Sequence, residues 1–405
     1  MSQATAASGG GWLTRDVLLL SMSACFADMG YQAVTAVFPL LIVIDLGEPA
    51  YVYGLLLALS FGVGSLFSLV GGKLGDTHGK KAVSLAGNLL IPLMSVSVLF
   101  PNIVFMGALF VFGWWARYFR TPTRRAWLVE VSDPAYRSKV FGFLHALDVG
   151  GGMVAVIYSI VLVLLGAPLD DIVLVTAIPI LVSSLALALA RTKPHPAFLA
   201  ASAKAAREPP QSGERQEKEN RFIFRWLLFS ATLFGFSYYA LGFPIVTVAQ
   251  SQGSAVFGIL TFGIYLGVSA GAGYLLGSVR SRRPFRTLWT LGYLLAALSS
   301  LVIGASYAFH FGLGVYYLGA AGLGFATGSV ETFEPVLTST LSKTGKLSSG
   351  LGWLSSSRAL GLFTSNIVMG AIFTFSQFGS YVYAAALAVC AAVILLAVEL
   401  KTKIS

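Results

Sequence analysis

Long apolar runs separated by short polar breaks fill the chain from about residue 16 to residue 400. Their lengths and breaks predict twelve helices, at about 16–45, 50–71, 82–100, 103–131, 139–165, 171–190, 226–249, 255–279, 287–307, 312–341, 348–375 and 380–400. An even number of crossings puts both termini on one side of a membrane. The breaks "GEPAY", "FPN", "GAPLDD", "SQGSA", "HFG" and "SQFGS" contain no lysine or arginine. The tails and the alternate breaks carry all but five of the 27 basic residues, the exceptions being Arg117, Arg120, Arg124, Arg125 and Arg358. Basic loops stay on the cytoplasmic side, so both ends are expected inside.

Composition agrees with an all-α membrane protein. The chain is 56% hydrophobic and 11% charged, against roughly 25% charged in a soluble domain. Mean hydropathy is +0.78 over the whole length. At about 20 residues per crossing plus loops, the length leaves room for about a dozen spans. The opening "MSQATAASGGGWLTRD" reads as a polar tail leading straight into the first helix, not as a removable signal peptide. Cys25 and Cys390 both fall in apolar runs and read as small buried residues rather than a disulfide. The net charge of +10 is spread over loops of one face without a basic–aromatic patch, which excludes a nucleic-acid partner.

Residues 191–225 form the one long polar stretch, rich in charge, alanine and proline. They divide an N-terminal six-helix bundle (1–190) from a C-terminal one (226–405), as a cytoplasmic linker. The halves echo each other: Phe38-Pro39 corresponds to Phe243-Pro244, and Val52-Tyr53-Gly54 to Val256-Phe257-Gly258. Parallel repeats of this kind recur among secondary transporters, which bind their substrates at the repeat interface.

The stretch "GGKLGDTHGKK" between the second and third helices resembles the signature loop of the major facilitator superfamily, with Gly72, Leu74, Asp76, Gly79, Lys80 and Lys81 in its places. "FADMGYQAVTAVFPLL" and "RTPTRRAWLVE" followed by "FGFLHALDVGG" resemble a prokaryotic branch of that superfamily, which has an Asp in the first span and an Arg-Thr-x-x-Arg-x-Ala run in the fourth. Arg120, Thr121, Arg124, Ala126, Phe141, Gly142, Asp148 and Gly151 match; Glu130, Gln32 and His145 depart from it. The resemblance implies a twelve-span fold and a gating loop at Gly72, Asp76, Gly79, Lys80 and Lys81 that latches the cytoplasmic side. By residue chemistry alone, Asp76 can accept hydrogen bonds from a neighbouring helix N-terminus, Arg137 is a candidate partner for it, and the two lysines can equally be topological anchors.

The intramembrane charges are the candidate site. From helix ends and a rise of about 1.5 Å per residue, Arg117, Arg120, Asp28 and Asp148 fall at one depth near mid-membrane, while Arg124 and Arg125 approach the cytoplasmic interface and are expected to snorkel. Charges placed there face a cavity or one another. Glu331, Glu334 and Arg358 form a second cluster in the other half. We therefore expect proton coupling at Asp28, Asp148, Glu331 and Glu334, and a substrate cavity at Tyr31, Gln32, Arg117, Arg120, His145, Tyr238 and Arg358. A purely structural salt bridge is the competing reading for each ion pair. Trp114, Trp115, Tyr239 and Trp353 are further aromatic candidates. Arg117 and Arg120 diverge by about 60° around their helix, so one is expected to enter the cavity and the other, Arg120, to tie to Asp148.

The four histidines lie far apart without metal-ligand spacing, and no GxxxxGK[ST] loop exists to bind ATP. The expected protein is thus not an enzyme, holds no cofactor or metal, and draws on a gradient. It reads as a monomeric plasma-membrane secondary transporter of a small organic molecule, working by alternating access, with proton-coupled export expected. Uptake or exchange of an organic anion, and a non-transporting sensor on a transporter fold, are the alternatives.

Overall fold

The computed structural model describes residues 12–199, 214–237, 241–278, 283–341 and 347–402, and every regular element among them is helical. We number the helices of eight or more residues: α1 (Arg15–Leu40), α2 (Ala50–Leu57), α3 (Gly64–His78), α4 (Lys80–Leu90), α5 (Ile103–Val131), α6 (Arg137–Leu164), α7 (Ala177–Leu189), α8 (Glu214–Ser237), α9 (Gly242–Gln252), α10 (Ala255–Ser278), α11 (Leu295–Ala308), α12 (Leu313–Leu341), α13 (Leu347–Phe375) and α14 (Gln377–Thr402). In hydrocarbon every backbone N–H and C=O must find a partner within the protein, which makes continuous helices the natural state of these apolar runs. Polar side chains start them where the runs begin. Thr14 Oγ1 accepts from the Val17 amide at 3.3 Å, and Asn102 Oδ1 accepts from Val104 and Phe105 at 2.9 and 3.2 Å.

Eleven helical segments among the described residues are long and apolar enough to cross a membrane. Helix α5 is not one of them, although its 29 residues extend well beyond a bilayer core. Four arginines and a glutamate interrupt its apolar character, and the site is built on it.

The second span runs as α2, a π-helical segment at Ala58–Val63, and α3 to His78, beyond the expected end at 71. The expected signature loop is therefore mostly helix. Its single corner is Gly79, whose φ of 91° belongs to a region that side chains avoid. The linker also differs from expectation. Arg191 N donates to Asp16 Oδ1 (2.9 Å) and His195 N to the Glu130 carbonyl (2.7 Å), so the start of the linker is fastened under the first half. Helix α8 begins inside the expected linker, at Glu214.

Helix α1 packs against α6 and α7, α4 against α5, α10 against α12, and α8 against α13 and α14. The two groups of helices meet through α2 and Ala58–Val63 on α13, α6 on α10, and α1 on α9. The contacts concentrate near the loops that lack basic residues. Tyr51 N donates to Thr374 Oγ1 at 3.2 Å, Tyr53 sets its ring edge on Phe243 at 5.7 Å, and Gly54 meets Gly370 backbone to backbone. A Cβ on Gly54 would lie 2.4 Å from the Asn366 carbonyl oxygen and 3.0 Å from the Gly370 Cα, so glycine is required there. Beyond Gly62, which abuts Phe363, α3 turns its main contacts to α5 and α4. The groups are thus closed at one end and part toward the end that carries the basic loops.

Candidate functional site

The parting leaves a cavity of about 1110 Å³. Its walls come from α1, α5, α6, α10 and α12, and include Asp28, Arg117, Arg120, Arg124, Asp148 and Glu331. Helix α5 supplies the arginines at spacings of three and four residues, which places Arg117, Arg120 and Arg124 along one face.

Asp28 on α1, 4% exposed, and Asp148 on α6 both stand on the cavity wall. Arg124 Nη2 stands 4.0 Å from Asp148 Oδ1, an ion pair without a hydrogen bond. Arg124 is 4% exposed, and its Nε and Nη1 have no hydrogen-bond partner among the described residues. The sequence reading sent Arg124 to the interface and gave Asp148 to Arg120; the structure reverses both. Arg124 lies seven residues from Arg117, about 20° from it around the helix, so it faces the same cavity one level lower.

Arg120 is buried and donates from Nη1 to Asn88 Oδ1 at 2.9 Å. Asn88 in turn donates to Ser183 (3.2 Å) and Ser184 (2.8 Å), and Ser183 donates to the Ser23 carbonyl (2.6 Å). This seam ties α5 to α4, α7 and α1. Arg120 is the tie expected of it, but to a residue the sequence reading did not single out. Arg117 is the other member of the pair: its guanidinium lies 4.4 Å from the Tyr31 ring centre and 5.1 Å from that of Trp114, and Nη2 donates to Tyr31 Oη at 3.4 Å. Gln32 and His145 also line the cavity.

The second cluster is built differently. Glu334, fully buried on α12, accepts from Tyr293 Oη and from Arg358 Nε, both at 2.5 Å. Arg358 on α13 also donates from Nη1 to Glu331 Oε1 at 2.8 Å. Arg358 is thereby engaged on two sides, and Glu334 sits behind it rather than on a cavity wall. Tyr238 and Tyr239 lie outside the described residues. Trp115 is a packing residue, stacked on Phe67 with its Nε1 donating to the Leu59 carbonyl, and Trp353 is exposed.

At the expected gating loop, Asp76 has a side chain 76% exposed, 3.9 Å from Lys80 one helical turn on. Lys80 makes its close contact with Glu130 on α5, at 2.6 Å. Lys81 donates to the carbonyls of Ala188 and Ala190 (2.6 and 2.8 Å), the free carbonyl end of α7. Nothing stands within 4 Å of a Cβ built on Gly72; Gly71 and Gly75 are the glycines pressed on α5, at Phe119 and Thr123. The side chain of Arg137, the expected partner of Asp76, lies outside the described residues.

Solved structures share this fold. A POT family transporter in complex with a thioalcohol conjugated peptide superposes with a TM-score of 0.75 at 13% identity, covering 96% of both chains. A D-xylose-proton symporter gives 0.74 at 13%, covering 95% of this chain and 97% of that one. A mutant of the nucleoside transporter NupG gives 0.70 at 13%, with coverage of 94% and 99%. At such identities the likeness establishes the fold. No curated protein matches the sequence significantly. The sequence signature of the Major Facilitator Superfamily matches residues 20–365, most of the chain. With its helical membrane architecture and its transporter neighbours, this chain belongs to the Major Facilitator Superfamily of secondary transporters.

Proposed function

We propose that the protein is a proton-coupled transporter in which the Asp28–Asp148 pair carries the proton and the α5 arginines hold the substrate. The observation that carries this reading is the placing of two acids, Asp28 and Asp148, on one cavity wall with Arg117 and Arg124, where Arg124 stands 4.0 Å from Asp148 without a hydrogen bond. With the proton in place, the pair carries one negative charge beside Arg117 and Arg124. Their free N–H groups are then available to an external acceptor. When the proton leaves, the second carboxylate attracts Arg124 and competes with that acceptor. Proton and organic anion therefore bind together and dissociate together.

That coupling favours cotransport of an organic anion with a proton over the export expected from sequence. Export by proton exchange requires substrate and proton to compete for the same carboxylates, as a cationic substrate at Asp28 would. In either mode we assign α5 as the twelfth span, 1–190 and 226–405 as the rocking bundles, and the basic-loop side as cytoplasmic, in a monomer of the plasma membrane. The cavity then faces the cytoplasm. Purified protein in liposomes with an imposed pH gradient tests the reading. Cotransport predicts anion accumulation in the compartment toward which protons flow. Accumulation against the proton flow restores the export reading, and flux indifferent to the gradient removes proton coupling altogether.

A further inference from the structure

The central cavity continues sideways. A second chamber of about 620 Å³ runs between α3 and α13. The two spaces share Arg117, Thr121, Arg125 and Glu331 on their walls. Leu66 and Leu69 border the chamber and are also 59% and 63% exposed. In a membrane span an exposed leucine faces acyl chains, so a chamber bordered by both opens onto the lipid. The opening begins below the Gly62–Phe363 contact, where α3 leaves α13, on the half of the protein near the basic loops.

The chamber and its inner end differ in chemistry. Phe61, Leu66, Leu69 and Leu362 give its lipid side apolar walls, and the hydroxyls of Ser65 and Ser68 are spent on the carbonyls of Gly62 and Tyr118, while Arg125, Arg358, Glu331, Ser355 and Ser356 make the rest of the lining polar. At the inner end stands Arg117, its plane set by Tyr31 and Trp114 and its buried Nε without a partner. Arg124, with Nε and Nη1 unpartnered, follows in the main cavity. A buried N–H without an acceptor is costly, and an acidic head with several oxygens supplies what these groups lack.

We infer that the substrate is a single-chain amphiphilic anion, with its acidic head on Arg117 and Arg124 and its chain in the chamber between α3 and α13. The inference rests on the proton–anion reading and adds the apolar chain. A small hydrophilic anion has no use for a lipid-facing chamber, and an amphiphilic cation would meet Arg117, Arg125 and Arg358 against the single acid Glu331.

Binding of tritiated decanesulfonate to the full chain in nanodiscs tests it, with empty nanodiscs subtracted and methanesulfonate and decyltrimethylammonium as competitors. A sulfonate stays ionised at working pH, so passive crossing as a neutral acid does not confuse a parallel flux assay. Decanesulfonate should bind at least about tenfold more tightly than methanesulfonate, the contribution of only about two buried methylenes. Arg117→Gln should weaken it, and the pair Leu66→Asn with Leu69→Asn should weaken decanesulfonate while sparing methanesulfonate. Equal affinity for the two sulfonates, equal displacement by the cation, or no saturable binding each overturns the inference, and the wild-type comparison alone decides it if a variant does not fold. Saturable, chain-dependent binding without pH-driven flux would leave the site standing and defeat the transport reading. Flux of a chainless anion with no decanesulfonate binding would do the reverse.

Discussion

The two charged centres of this protein contain the same kinds of group and leave them in opposite conditions. In the second half Arg358, Glu334, Glu331 and Tyr293 are joined by bonds of 2.5 to 2.8 Å. In the first half Arg124 and Asp148 stand at 4.0 Å, and Arg117 Nε, Arg124 Nε and Nη1, and Asp148 Oδ1 are buried without hydrogen bonds. A saturated cluster has nothing left to offer a ligand, and its rearrangement requires breaking bonds. An unsaturated cluster is held by the surrounding fold in a condition that a ligand or a proton improves. On the function proposed above, the first half binds and couples, while the second holds α12, α13 and Tyr293 together.

The strongest way to break this comparison is Arg358→Gln. It strands Glu334 as a buried unpaired acid, so unfolding stability should fall by roughly 3–5 kcal/mol, with partial rescue by Glu334→Gln. A thermal melt of the purified variants reads this, and a small loss without rescue would show that the second cluster is not a structural tie. Arg120→Ala comes next, because it removes a charged donor from buried Asn88 and should cost about 1.5–3 kcal/mol. The same melt with Asn88→Ala as a second background should show the two losses to be less than additive.

Asp28→Asn should leave stability within about 1 kcal/mol, since a neutral amide of nearly the same shape replaces a buried acid. Gradient-driven accumulation in liposomes should nevertheless vanish while substrate exchange persists. Accumulation at wild-type level in this variant would move the proton site elsewhere. The smallest effect is expected at Asp76→Asn, below about 0.5 kcal/mol, because its ion pair is long and solvent-exposed. Distance measurements between the ends of α3 and α13 should also show no shift in the resting population; a shift toward the open state would restore Asp76 as a latch in another conformation.

Much of the architecture was legible because lipid leaves an apolar run few options besides a helix. Even α5 could be read as a helix, since its arginines sit between apolar runs instead of in a loop. The acids Asp28 and Asp148 stood out by the cost of placing them there. What depth alone could not give was direction around the helix. Arg124 was ranked by its distance from the membrane centre, whereas its angle, almost that of Arg117, decides that it faces Asp148. Asn88 escaped notice for another reason. A single uncharged polar residue in an apolar run carries little signal, and its importance comes from three other helices converging on it. The signature at 71–81 was visible as a pattern, but its glycines divide their roles by which side of α3 they lie on, and that rotation is fixed only by packing on α5.

The contact of Gly54 with Gly370 bears on how fast the closed end can open. Most tight helix interfaces are interlocked, with side chains seated in sockets from which they must rotate before the surfaces separate. Here one bare strip of main chain lies on another, so parting requires no rotamer change and no desolvated polar group at that point. The helices can slide or peel along the strip, with resistance that grows smoothly with the area uncovered. A contact of this kind has little friction when it moves, which suits a joint that the proposed rocking of the two bundles would open and close in every cycle.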